Sequence, residues 1–137
     1  MKIYVGCALA YSPEEFKRSV EDFKAKLNKK YEVLEFLGMI KGTEKDVYDW
    51  DINNCVAKCD FFIAICDHAS LGLGYEIGVA VEKFKKPVLA VAHTNSRVSR
   101  LILGVDSPIY EFKRYSQLSD VMYLIDRRIS GLNLEAA

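Results

Sequence analysis

The segment Asp60-Phe61-Phe62-Ile63-Ala64-Ile65-Cys66 is an almost unbroken apolar run near the middle of the chain. A strand with one wet face alternates apolar and polar side chains, so a run without alternation predicts a central parallel strand covered on both faces. The rest of the chain must then supply neighbours within the sheet and helices above and below it. Lys2 to Cys7, Tyr31 to Leu37, Pro87 to Ala92 and Pro108 to Phe112 are the other runs with strand character. Between the first two, Phe16, Val20, Phe23 and Leu27 recur at helical spacing among Lys, Arg and Glu, the pattern of a helix laid on a sheet. Ser12-Pro13-Glu14-Glu15 opens that helix with an N-cap, a proline at the first helical position and acids at the positive dipole end. Further helices are predicted over 43–58, 74–85, 97–103 and 116–129.

Strands alternating with helices through short links imply a parallel sheet built from right-handed crossovers. The expected fold is α/β, a flavodoxin-like (Rossmann-like) three-layer sandwich on a five-stranded parallel sheet of order 2-1-3-4-5. At 137 residues and 50% hydrophobic content the chain can bury one core, so 1–131 are expected to form a single domain and 132–137 a C-terminal tail. The 19 Lys and Arg balance the 19 Asp and Glu, which gives no field favouring a nucleic acid polymer. No stretch approaches the roughly 20 apolar residues of a membrane span, and the opening residues make a poor signal peptide, so no membrane partner and a cytoplasmic location are expected. Cys7, Cys55, Cys59 and Cys66 form no CxxC pair, and they read as reduced, buried residues with neither a metal nor another cofactor to hold.

In this architecture ligands bind beyond the carboxyl ends of the strands, near the point where strand order reverses. The segment leaving the central strand there is Asp67-His68-Ala69-Ser70-Leu71-Gly72-Leu73-Gly74-Tyr75-Glu76-Ile77-Gly78. Gly72 and Gly74 can take positive φ and bring backbone N–H groups close to an anionic or polar group at a helix N-terminus. The spacing is not that of a dinucleotide fingerprint, and an acid at position 76 would repel a pyrophosphate. Glu76 is expected in the first helical turn, held ionised by the dipole and loop amides. A carboxylate so placed can capture the oxocarbenium-like carbon formed when a C–N glycosidic bond breaks; the plain alternative is an acid that complements the helix end.

Glycosidic chemistry commonly uses a second carboxyl group, for which Asp51 and Asp49, ahead of the central strand, compete. Either also fits the solvated face of an amphipathic helix. Tyr4 lies in the first strand, where its phenol can orient a carboxylate or simply pack in the core. Ser70 can hold a phosphate or sugar hydroxyl, or close a hydroxyl turn. The polar stretch His93 to Ser99 follows the fourth strand and can line a pocket.

Taken together, the opening Ile-Tyr strand, the Asp ahead of a central strand, and Ser-Leu-Gly-Leu-Gly-Tyr-Glu-Ile-Gly-Val-Ala resemble the nucleoside 2-deoxyribosyltransferase family over 2–104. The likeness is greatest to the 2′-deoxynucleoside 5′-phosphate N-hydrolases, the small hydrolytic branch. The resemblance implies that Glu76 attacks the anomeric carbon, that Asp51 acts on the leaving base or orients the sugar, and that Tyr4 holds Glu76. It implies substrate contacts at Gly6, Ser70, Gly72, Gly74 and Ser99, with a small-molecule nucleoside or nucleotide as ligand. It also implies a homodimer in which Ser99 reaches the neighbouring site. Ala8 stands where the hydrolytic branch has a phosphate-contacting serine. The expected reaction is hydrolysis of a 2′-deoxynucleoside 5′-monophosphate; base exchange between deoxynucleosides and a non-catalytic nucleotide-binding module are the other readings.

Overall fold

The computed structural model describes residues 1–38 and 40–136, with the side chains of 133–136 left aside. Five strands form one all-parallel sheet: β1 (Lys2–Cys7), β2 (Glu32–Leu34), β3 (Phe61–Ile65), β4 (Val88–His93) and β5 (Tyr110–Tyr115), in spatial order β2-β1-β3-β4-β5. This is the flavodoxin-like order, with its reversal between β1 and β3. The helices are α1 (Glu14–Leu27), α2 (Glu44–Tyr48), α3 (Leu71–Glu82), α4 (Arg100–Leu103) and α5 (Leu118–Ala136). α2 passes without a break into a π-helical segment, Asp49–Val56.

All five residues of β3 are buried, because each face of the sheet has its own apolar layer. Ile3, Val5, Phe61, Ile63 and Ile65 pack against α1 and α5, whereas Tyr4, Phe62 and Ala64 pack against α3 and the π-helical segment. Removing a large apolar side chain from water contributes roughly 1.5–3 kcal/mol, so this doubly covered strand anchors the fold. Pleating sends Tyr4 and Gly6 to the α3 side of β1, and the register sets Tyr4 beside Phe62 with ring centroids 5.1 Å apart.

Several boundaries differ from the sequence reading. The second strand ends at Leu34 rather than Leu37, because the next backbone groups bond to helical side chains instead of a neighbouring strand. Ser12 does not cap α1; its hydroxyl donates to the Ala8 carbonyl at 2.9 Å and closes the loop after β1. β5 begins after a turn at Ser107 and continues through Lys113 and Arg114, charges that an edge strand tolerates. α5 runs on to Ala136, where a tail was expected from 132; Ala137 lies outside the described residues. Among the described residues no helix is long and apolar enough to cross a membrane.

Candidate active site

α3 starts at Leu71, three residues earlier than the glycine pattern predicts. Ser70 is its N-cap, accepting a 3.1 Å hydrogen bond from Leu73 N–H. Gly72 and Gly74 therefore lie inside the helix, and neither takes the positive φ open to it; among the described glycines only Gly38 and Gly42 do so. A Cβ at Gly74 would meet open space. Glu76 consequently sits in the second turn, beyond the reach of the helix-end field, which fades within the first turn.

What surrounds Glu76 is instead the α3 face of the sheet. The Tyr4 phenol donates a hydrogen bond to Glu76 Oε2. Burial pushes the Glu76 carboxyl up to about 8; the Tyr4 hydrogen bond pulls it down, and the nearby Asp51 charge raises it again. The expected ionised state, held by dipole and amides, is thus corrected: the site favours the protonated acid near neutral pH. The Tyr4 phenol is itself raised well above its ordinary value, by burial and then by Glu76.

Asp51 reaches the same place from the π-helical segment, where it accepts a 2.9 Å hydrogen bond from Leu37 N–H. Burial raises its carboxyl and the Leu37 bond opposes that rise. Asp49 is exposed, and its carbonyl accepts from the Asn54 side chain. Of the two candidate acids, Asp51 is the one whose charge acts on both Glu76 and Tyr4.

A cavity of about 700 Å³ opens beside the N-terminus of α3, lined by Ser70, Gly72, Gly74, Arg97 and Ser99 among others. Its wall does not include Glu76, which occupies the neighbouring face of α3, turned toward β1. Ser99 caps α4 by accepting from Leu101 N–H at 3.2 Å, and lines the cavity of its own chain. Ser70 and Ser99 each use an oxygen lone pair as a cap and keep a hydroxyl proton to donate. Gly6 is buried instead of lining this cavity: a Cβ there would stand 3.0 Å from Leu73 Cδ1 and 3.0 Å from Phe62 Cε1, so packing explains the glycine. Arg97, part of the polar stretch after β4, is the cation of the cavity wall, and it forms no ion pair among the described residues.

The remaining candidates have structural partners. His68 meets the Phe16 ring edge-on, and His93 Nδ1 accepts from Asn95 N–H. All four cysteines are buried and unpaired, with thiols pushed by burial up to about 11 for Cys7 and Cys59 and about 12 for Cys55 and Cys66. Among the described residues no three His, Cys, Asp or Glu side chains gather as a metal site.

No protein-family model matches the chain, and a search of curated proteins finds no match. Among solved structures it is similar to the CMP N-glycosidase BcmB of Clostridium botulinum, at 20% identity and a TM-score of 0.65, over 92% of this chain and 99% of that one. At that identity the likeness is one of fold.

Proposed function

We propose that this protein hydrolyses the N-glycosidic bond of a 2′-deoxynucleoside 5′-monophosphate, releasing the free base and deoxyribose 5-phosphate, with Glu76 as the nucleophile. The observation that carries the reading is the Glu76 carboxyl, buried, hydrogen-bonded by Tyr4 and electrostatically linked to Asp51 on the α3 side of the sheet. A fold shared with a CMP N-glycosidase supports the choice of bond and of a monophosphate.

In the proposed reaction Asp51 gives a proton to the departing base while the ionised Glu76 closes on the anomeric carbon, forming a glycosyl ester as the C–N bond breaks. Water then attacks the anomeric carbon, the ester C–O bond breaks, and Glu76 leaves as carboxylate while Asp51 accepts the water proton. The positive charge that develops on the sugar favours the ionised form of a carboxyl that burial keeps largely protonated, so the attraction is greatest in the transition state. The phosphate would take the cap hydroxyls of Ser70 and Ser99, the Gly72 and Gly74 end of α3, and Arg97. Ser70 and Glu76 are separated by six residues of α3, about 9 Å along the axis, a span that a sugar phosphate and its contacts can bridge. Exposed Tyr11, Leu71 and Leu101 rim this cavity, which supports a homodimer that covers them.

The test is to incubate the protein with deoxynucleoside monophosphates, CMP and unphosphorylated nucleosides, with and without an acceptor base. Base released from deoxynucleoside monophosphates alone is the expected result. Turnover only with an acceptor would make the protein a transferase, and saturable binding without products a nucleotide-binding module.

A further inference from the structure

Lys24 lies on the core face of α1 with a side chain 2% exposed, an unfavourable place for an ammonium without partners. Its Nζ is 2.6 Å from Glu35 Oε2 and 3.0 Å from Glu21 Oε1, and it lies 4.2 Å from the centre of the Phe36 ring. Glu35 and Phe36 are the residues at which the chain leaves β2. On its other side the same stretch is fastened to the π-helical segment: the Glu35 carbonyl accepts from Trp50 Nε1 at 2.7 Å and from Cys55 Sγ at 3.3 Å, and Leu37 N–H donates to Asp51 Oδ1 at 2.9 Å. Three residues are thus tied to α1 by an ion pair and a cation–π contact, and to the π-helical segment by three hydrogen bonds.

We propose that Lys24 and Glu35 are positioning residues for Asp51: their ion pair pins the Glu35–Leu37 strap so that Leu37 N–H stays on the Asp51 carboxylate. The role assigned to Asp51 rests on the proposed glycosidase reading, whereas the strap does not. The i→i+5 winding that follows Tyr48 brings Trp50, Asp51 and Cys55 to one stretch of backbone, and π-helical turns are often retained at functional sites. The groups facing Asp51 are Glu76 from α3, Tyr4 from β1, Cys55 from its own helix and the Leu37 amide from the strap. Only the last favours the ionised form of Asp51, so its loss has a defined direction.

The experiment is a carboxyl-carbon NMR titration of the ligand-free protein, comparing wild type with Lys24→Met and Glu35→Gln, and Lys24→Arg as the conservative variant. Met keeps the apolar stem, and Glu21 and Glu35, 62% and 59% exposed, rehydrate when the ammonium goes; the thermal melt confirms that each variant is folded. The strap predicts that Asp51 titrates about one unit higher in both Lys24→Met and Glu35→Gln, since a carboxylate loses an amide donor, and that Lys24→Arg restores most of the shift. An Asp51 titration unchanged in folded Lys24→Met overturns the proposal, as does a shift in Lys24→Met that Glu35→Gln fails to reproduce, which would mark a direct field effect of the lysine. If the wild-type protein releases no base but the titrations move as stated, the strap stands and the glycosidase reading fails.

Discussion

The Tyr4 phenol donates its hydrogen bond to Glu76 Oε2, joining a strand to a helix 72 residues further along the chain. Tyr4 is 1% exposed, so its hydroxyl has little water to turn to and Glu76 is its partner. Replacing it by Phe removes a donor that stabilises the ionised acid, and Asp51 and burial then act without opposition. Tyr4→Phe should raise the Glu76 pKa by about one unit and shift the limb of the kcat/KM profile that Glu76 sets to higher pH by the same amount; a pH–rate profile of both proteins checks it.

For the wild type, a nucleophile that titrates at about 8 sets the shape of that profile. Since Glu76 must be ionised to attack while Asp51 must hold the proton it gives, kcat/KM should follow a bell, falling on the acid side where both carboxyls are protonated and again above about pH 8 where both are ionised.

The same raised value acts on stability. Between the ordinary carboxyl value of 4.5 and the folded value of about 8, the native protein keeps a proton that the unfolded chain has lost. Native proteins that bind more protons lose stability as pH rises, so denaturant midpoints should fall from about pH 5 to pH 8 through this group. Glu76→Gln should remove that component and be more stable than wild type at pH 8. Urea titrations of both proteins at several pH values measure it.

Asp51→Asn keeps an acceptor for Leu37 N–H but has no proton to give the leaving base. It should lower kcat by roughly 10²–10⁴-fold, while Glu76, relieved of a neighbouring charge, titrates lower. The two effects separate in a pH–rate profile, and Asp49→Asn, a change at an exposed acid, should leave both unaltered.

Gly6→Ala places a methyl 3.0 Å from both Leu73 Cδ1 and Phe62 Cε1, two side chains packed around Tyr4. Overpacking of this kind costs about 1–3 kcal/mol, which a denaturant midpoint will show.

The central strand was legible because Phe61 to Ile65 are buried on both faces, which leaves a continuous apolar run whose shortness and aromatic and β-branched content favour a strand over a buried helix. Glu76 stood out through its neighbours in the helix after that strand. The winding around it did not: Gly72 and Gly74 favour a loop by intrinsic preference, yet the Ser70 cap and the inward Leu73 and Ile77 extend the helix back over them. Glu35 to Leu37 read as strand because Phe36 and Leu37 are apolar, although their backbone bonds go to Trp50, Cys55 and Asp51, partners beyond any local pattern. The protonation of Glu76 was misread for a similar reason, since its burial beneath Tyr4 exists only after β1 and α3 have met.

The most direct test of Glu76 is base release from a deoxynucleoside monophosphate by wild type and by Glu76→Gln, which keeps the size and the Tyr4 partner of the side chain but can neither attack nor carry charge. The expected result is release by wild type and a loss of at least about a thousandfold in the variant at unchanged fold. A folded Glu76→Gln protein that releases base at the wild-type rate would contradict the nucleophile assignment.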